Sequence, residues 1–222
     1  MAIIIGVISQ KGGVGKSTIA RLMAREFASH DWKVKIADLD SQQSTAYHWQ
    51  KRRVANGITP AIRAEMFPTV SAALKDAPNF DVLILDGAPH ATKATKEIAQ
   101  EADILLLPTG LSLDDMQPQI NLAHELVLKE TTPDKIAFVL CRVGDSDTEL
   151  QEARDYITKA GYRVLEGQVP ERTGYRRASD AGKALTETIS KTLNTKADAV
   201  AQSIIDTIKQ LKNRRTANVA AR

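Results

Sequence analysis

Two lysines five residues apart, with three glycines between them, form the most chemically pointed stretch of the chain: Gln10-Lys11-Gly12-Gly13-Val14-Gly15-Lys16-Ser17-Thr18. A loop of the form G-x-x-x-x-G-K-[ST] wraps the phosphates of a nucleotide. Gly15, Lys16 and Ser17 match its second half, whereas Gln10 takes the place of its first glycine and Lys11 adds a second ammonium. Gly12, Gly13 and Gly15 let the backbone, Val14 included, pass close to phosphate oxygens, and successive N–H groups then form an anion nest. A helix opening near Ser17 adds the positive end of its dipole. Lys16 is expected to reach the β- and γ-phosphates, Ser17 to ligate Mg2+ and Thr18 to contact the α-phosphate. The alternative is a glycine turn that merely introduces a helix.

Two other stretches bring carboxylates. "KVKIADLDSQQS" carries Asp38 and Asp40, and "FDVLILDGAP" carries Asp86. Asp86 follows four apolar residues, the position from which an acid holds a metal-bound water. Asp40 is placed to orient or deprotonate an attacking water. Ser17, Asp40 and Asp86 are therefore the expected metal-side residues, and Lys16 and Asp40 expected catalytic ones. For each acid the alternative is a cap or turn role.

These side chains need elements that bring them to one place. Short apolar, β-branched runs predict strands at Ile3–Ile8, Val34–Asp38, Val82–Asp86, Ile104–Pro108, Ile136–Arg142 and Arg163–Val169, with a weaker one at Ala61–Glu65. Most are apolar throughout rather than alternating, as parallel strands covered on both faces must be. Between them, Ser17–Ser29, Thr92–Ala102, Asp114–Lys129 and Asp147–Ala160 have the length of crossover helices. The expected fold is a single doubly wound α/β domain over residues 1–215, a mostly parallel sheet flanked by helices, followed by a loose tail over 216–222. Acids at strand ends and a loop after the first strand then meet at one edge of the sheet, where ligands of open α/β folds bind.

Composition narrows the function. A chain of 222 residues with 43% hydrophobic and 26% charged residues suits one soluble α/β domain. Its single cysteine, Cys141, argues against a disulfide framework and against a cysteine-ligated metal cluster. No signal peptide and no apolar run of the ~20 residues that a membrane span requires are visible, so a cytoplasmic setting is expected. Net charge is only +3, so a nucleic-acid partner has to be sought in the distribution of charge.

The segments "KGGVGKST", "DLDSQQSTAYHW", "DVLILDGAP" and "VPERTGYRRASDAGKAL" together resemble the ParA/MinD group of deviant Walker A P-loop NTPases over nearly the whole chain. The resemblance is strongest to the short plasmid-partition ATPases, which lack an N-terminal DNA-binding domain, since the loop begins about ten residues in. Two departures stand out: Ser41 where the family commonly has proline, and Gly87–Ala88 ahead of Pro89 where a proline pair is usual. Neither removes a group that the chemistry uses. The resemblance implies weak Mg2+-dependent hydrolysis of ATP to ADP and phosphate, and an ATP-bound homodimer. In that dimer Lys11 crosses to the phosphates held by the partner, a catalytic role like that of an arginine finger supplied in trans. It also implies an adenine site between the end of Ile136–Arg142 and the segment Val169–Arg172, with Arg142 and Pro170 as contacts. Simple pairing of Arg142 with a nearby acid is the alternative.

Partners are read from the basic residues. Lys209, Lys212, Arg214, Arg215 and Arg222 end the chain without an acid among them, and Arg172, Arg176, Arg177, Lys183, Lys191 and Lys196 lie upstream. Clustering without aromatic interleaving points to sequence-independent contact with a phosphate backbone, with Arg163, Arg172, Lys196, Lys212, Arg214 and Arg215 as the candidate DNA contacts. A solvated helix end is the alternative for the tail. Val200, Ile204, Ile208 and Leu211 fall at helical spacing and read as core packing, the rival being a MinD-like membrane anchor. Tyr47, His48, Trp49 and Lys51–Arg53 are expected to form a partner or dimer surface. The implied function is a nucleoid-associated, ATP-dependent positioning or partition ATPase working on plasmid, chromosome or other cargo with a ParB-like or adaptor protein and no membrane. A MinD-like membrane-surface switch is the alternative.

Overall fold

Strand residues alternate between two apolar layers, so each strand buries both of its faces. Ile3, Ile5 and Val7, Val82 and Ile84, and Ile104 and Leu106 point into one layer, while Ile8, Leu83, Leu85, Leu105 and Leu107 point into the other. The computed structural model describes residues 2–90 and 93–220, and the side chains of all of these except Arg215, Asn218, Val219 and Ala220. In chain order the elements are β1 (Ile3–Ser9), α1 (Lys16–Ala28), β2 (Val34–Asp38), α2 (Thr45–Ala55), β3 (Arg63–Met66), α3 (Val70–Leu74), β4 (Val82–Pro89) and α4 (Lys93–Glu101). There follow β5 (Ile104–Thr109), α5 (Leu113–Leu128), β6 (Ile136–Val143), α6 (Asp147–Lys159), β7 (Arg163–Val164), β8 (Val169–Pro170), α7 (Thr173–Asp180) and α8 (Lys191–Ala220). The sheet runs β3-β2-β4-β1-β5-β6-β7, with β8 beside β6, and its pairings are parallel.

Helices α1, α2, α7 and α8 cover one face and α3, α4, α5 and α6 the other. The chain leaves β1 toward β2 and leaves the neighbouring β5 toward β6. Their C-terminal ends therefore open the crevice at which such sheets bind ligands.

Three expectations change. The strand foreseen at Arg163–Val169 is interrupted: Gly167 takes a left-handed φ of 77° against Val200, and Arg154 binds the carbonyls of Leu165 and Gly167, so the segment splits into β7 and β8. Helix α8 continues through 216–220, where a loose tail was expected; residues 221–222, Arg222 among them, lie outside the described residues. The stretch Tyr47–Arg53 is a helix, and its largest members face inward rather than toward a partner. Trp49 and Arg53 are buried, the indole donating to the Lys183 carbonyl at 3.0 Å and the guanidinium clasping Glu187 through bonds of 2.7 and 2.9 Å. His48 and Lys51 remain exposed. Val200, Ile204, Ile208 and Leu211 are core residues, as their spacing indicated.

Candidate nucleotide-binding site

The loop of residues 10–15 spans from β1 to α1 at the crevice. Gly13 and Gly15 hold positive φ values of 75° and 110°. A Cβ on Gly15 would also lie 3.2 Å from Cys141 Sγ, so conformation and crowding both require glycine there. The entry to the loop is pinned by Gln119 of α5. Its side-chain carbonyl accepts from Gln10 N at 3.0 Å, and its amide donates to the carbonyls of Ile8 and Pro108. Burial lifts the Cys141 thiol to about 12, leaving it neutral packing behind the loop.

The two lysines go separate ways. Lys16 is buried, and its ammonium donates to the Lys11 carbonyl at 3.2 Å, curling back over the loop. Burial lowers its pKa, while Asp86 and Asp40 act in the opposite sense. Lys11, half exposed, instead pairs with Asp115 Oδ1 in the first turn of α5 at 3.1 Å.

The three carboxylates differ in surroundings. Asp38 and Asp86 face each other in register on β2 and β4. Asp38 Oδ2 accepts from Ala46 N and Tyr47 N at 2.9 and 3.1 Å. It thus caps α2 from a neighbouring strand, the cap role in place of a catalytic one. Asp40 Oδ1 accepts from Gln42 N and Gln43 N, closing an Asx turn that shapes the loop before α2. Asp86 is 2% exposed, and both its oxygens are buried without a hydrogen bond of full geometry, the Ser17 hydroxyl being a weak neighbour at best. Burial pushes its pKa up to about 7, with Asp38 adding to the rise, while Ser17, Arg21 and Lys16 oppose it. An orphaned buried carboxylate beside a serine hydroxyl is an arrangement that a hydrated divalent cation completes.

Sequence reasoning missed several residues that shape the site. Ser17 Oγ lies 2.6 Å from Thr45 Oγ1 at the start of α2. Arg21, one turn further along α1, donates to the Thr45 carbonyl at 2.5 Å and to Ser179 Oγ at 3.0 Å, and stacks over the Trp49 ring. The readable signals were a charged residue within the otherwise apolar run Ile19–Ala24 and, for Gln119, an amide among the apolar positions Met116, Ile120 and Ala123.

A cavity of about 410 Å³ extends from Gly13, Gly15 and Thr18 past Cys141 to Arg142, Pro170 and Tyr175. Both expected base contacts line it. Pro170 is buried, whereas the exposed Arg142 adopts φ 57° and pairs with Glu171 at 3.3 Å; it forms the ion pair that was its alternative role.

The candidate DNA contacts are not gathered into one cluster. Arg172 pairs with Asp145 near the cavity, and Lys196 is exposed near the start of α8. Lys212 lies beside Asp103 and Ile104 at the opposite end of the sheet. Arg214 reaches Asp134 at 2.8 Å, and Arg163 reaches Gln210 at 3.0 Å. The Arg215 side chain lies outside the described residues.

Residues 5–186 match the CobQ/CobB/MinD/ParA nucleotide binding domain. The chain belongs to this family. It is 26% identical over 186 residues to the Maintenance of carboxysome distribution protein A of Gloeobacter kilaueensis, covering 83% of this chain and 84% of that one. Solved members share the fold. The septum site-determining protein MinD of Pyrococcus horikoshii, complexed with Mg-ADP, superposes with a TM-score of 0.72 at 16% identity, over 92% of this chain and 96% of that one. A putative plasmid partition protein of Borrelia burgdorferi, bound to AMPPNP, gives 0.70 at 19% identity, over 93% and 99%.

Proposed function

We propose that this MinD/ParA-family chain is a positioning ATPase that binds Mg-ATP at the 10–18 loop, dimerises in that state, engages non-specific DNA and is released by hydrolysis. The observation that carries the reading is the pairing of a strand-to-helix glycine loop with Asp86, whose two buried oxygens lack a partner beside Ser17. In this reading Lys16 and the loop N–H groups neutralise the phosphates, Ser17 ligates Mg2+, and Asp86 holds a metal-bound water. Asp40 reaches the metal side and orients the attacking water. Mg2+ held there would supply positive charge that offsets that of the triphosphate. Lys11 exchanges Asp115 for the phosphates of a second subunit. The names of relatives support a positioning role: one is a carboxysome distribution protein and another a putative plasmid partition protein.

DNA is favoured over a lipid surface because the apolar stripe of α8 is spent in the core. Among the described residues, no helix is long and apolar enough to cross a membrane. The test is binding of purified protein, with Mg-ATP and with Mg-ADP, to non-specific duplex DNA and to anionic liposomes in parallel. ATP-dependent DNA retention that weakens steeply with salt is expected. Retention on liposomes alone would replace this reading with the membrane-switch one.

A further inference from the structure

Ser17, expected to hold the metal, belongs to a continuous chain of contacts that leaves the phosphate loop and ends on another helix. Its hydroxyl meets Thr45 Oγ1 at 2.6 Å, and the Thr45 carbonyl accepts from Arg21 Nη2 at 2.5 Å. The other arm of the same guanidinium, Nη1, donates to Ser179 Oγ at 3.0 Å. Ser179 lies in the last turn of α7, and α7 carries Tyr175 and Arg176 on the wall of the 410 Å³ cavity. Arg21 thus ties α1, the first turn of α2 and the end of α7 with one planar fork.

Two observations argue that this fork is more than packing. Arg21 is 8% exposed, yet its Nε is buried with no partner. A guanidinium present only for adhesion would gain by satisfying all of its donors. Its charge also sits among the site's acids, Asp86 and Asp38, which hold up a pKa that burial lowers to about 10. A metal on Ser17 changes this balance. It would offset the charge of Asp86 and would occupy a lone pair of the Ser17 hydroxyl, favouring donation from Ser17 to Thr45. The Thr45 end of the fork is thereby altered while the Ser179 end is rigidly linked to it.

We propose that Arg21 is a positioning residue that couples occupancy of the metal–phosphate site to the seating of α7, through Ser17 and Thr45 on one side and Ser179 on the other. This rests on the nucleotide reading given above. Lysine cannot replace it, because a single ammonium on a flexible stem does not span two acceptors in fixed directions.

The test is hydrogen–deuterium exchange of α7 in the full-length protein, without nucleotide and with Mg-AMPPNP at saturation established by titration, for the wild type, Arg21→Lys and Ser179→Ala. In the wild type, nucleotide should slow exchange over Thr173–Asp180 by about fivefold or more, the lower end of ordinary site-to-site coupling. Both variants should bind Mg-AMPPNP, yet their α7 exchange should respond less than about twofold. Ser179→Ala removes one exposed-edge hydroxyl contact and keeps the guanidinium, so it separates coupling from folding. A full wild-type response in both variants at saturation overturns the coupling and leaves the nucleotide site standing. Failure of the wild type to bind Mg-AMPPNP overturns the nucleotide reading and the coupling with it.

Discussion

Replacing Asp86 by asparagine should stabilise the nucleotide-free protein, and should do so by about 3 kcal/mol more at pH 8 than at pH 5. The carboxylate is buried with both oxygens unpartnered, and its folded pKa stands at about 7, against an ordinary value near 4 when unfolded. The folded state therefore holds its proton over a range in which the unfolded chain has released it. Stability associated with this group is complete below about pH 4 and is lost as the pH rises through 7. From pH 5 to 8 the loss is about 3 kcal/mol, at about 1.4 kcal/mol for each pH unit up to the folded pKa. Asparagine is neutral throughout, so the gap between variant and wild type should move in its favour by that amount, or roughly 6–12 °C in melting temperature. Thermal or urea unfolding in the presence of a chelator, at both pH values, measures it. An equal gap at pH 5 and pH 8 would refute the claim that Asp86 is an uncompensated buried acid. Without the chelator, Mg2+ with ATP should stabilise the wild type more than the variant, since asparagine keeps a carbonyl oxygen but lacks the carboxylate charge.

Lys11→Ala should bind ATP through Lys16 and the loop amides but form no ATP-dependent dimer in analytical ultracentrifugation; a normal dimer would mean that Lys11 acts in cis. Asp115→Asn, which releases Lys11 from a half-exposed pair worth up to about 1 kcal/mol, should tighten that dimer by up to about fivefold. Asp40→Ala should keep ATP binding and lower turnover by about a hundredfold or more, as expected on losing a positioned acid–base group, and unchanged phosphate release would remove Asp40 from the mechanism. Arg53→Ala should destabilise the fold by about 3 kcal/mol, the lower end for breaking such a pair, because Glu187 loses its main partner but keeps the Ala184 N–H and Arg25 at 3.6 Å. Burial raises the pKa of Glu187, but Arg53 and Ala184 outweigh it and hold the value below the ordinary range. The pair's contribution should therefore be present at neutral pH and fade as the pH falls through that lowered pKa, which acid titration of the wild type and Arg53→Ala compares.

What could be read from the chain in advance was whatever lies on one contiguous stretch. The loop glycines, Lys16 and Ser17 declare themselves because a nest, a helix start and a charge must follow one another along the backbone. Asp86 stands out because an acid directly after four apolar residues of a parallel strand is unusual, and the structure finds it buried. Asp38 and Asp40 were harder to separate: acids at i and i+2 fall on the same side of an extended chain, and only the packing of α2 makes one of them a cap. Arg21, Thr45 and Ser179 carry no local signature, since their meeting depends on three helices converging. Trp49 and Arg53 misled for the same reason. An aromatic–basic run looks like a surface until the segment near residues 183–187 is laid over it.

That lid has a consequence for how the protein is made. The Trp49 indole and the two terminal nitrogens of Arg53 find their acceptors at Lys183, Gly182 and Glu187, while Arg53 Nε reaches the nearby Pro60 carbonyl, and the apolar side of α1 is covered by residues of α8 still further on. A nascent chain that has exposed the whole phosphate loop therefore carries an open apolar face and an unpaired interior arginine until almost all of its length has left the ribosome. Fragments ending before residue 187 should be insoluble even though they contain every candidate catalytic group.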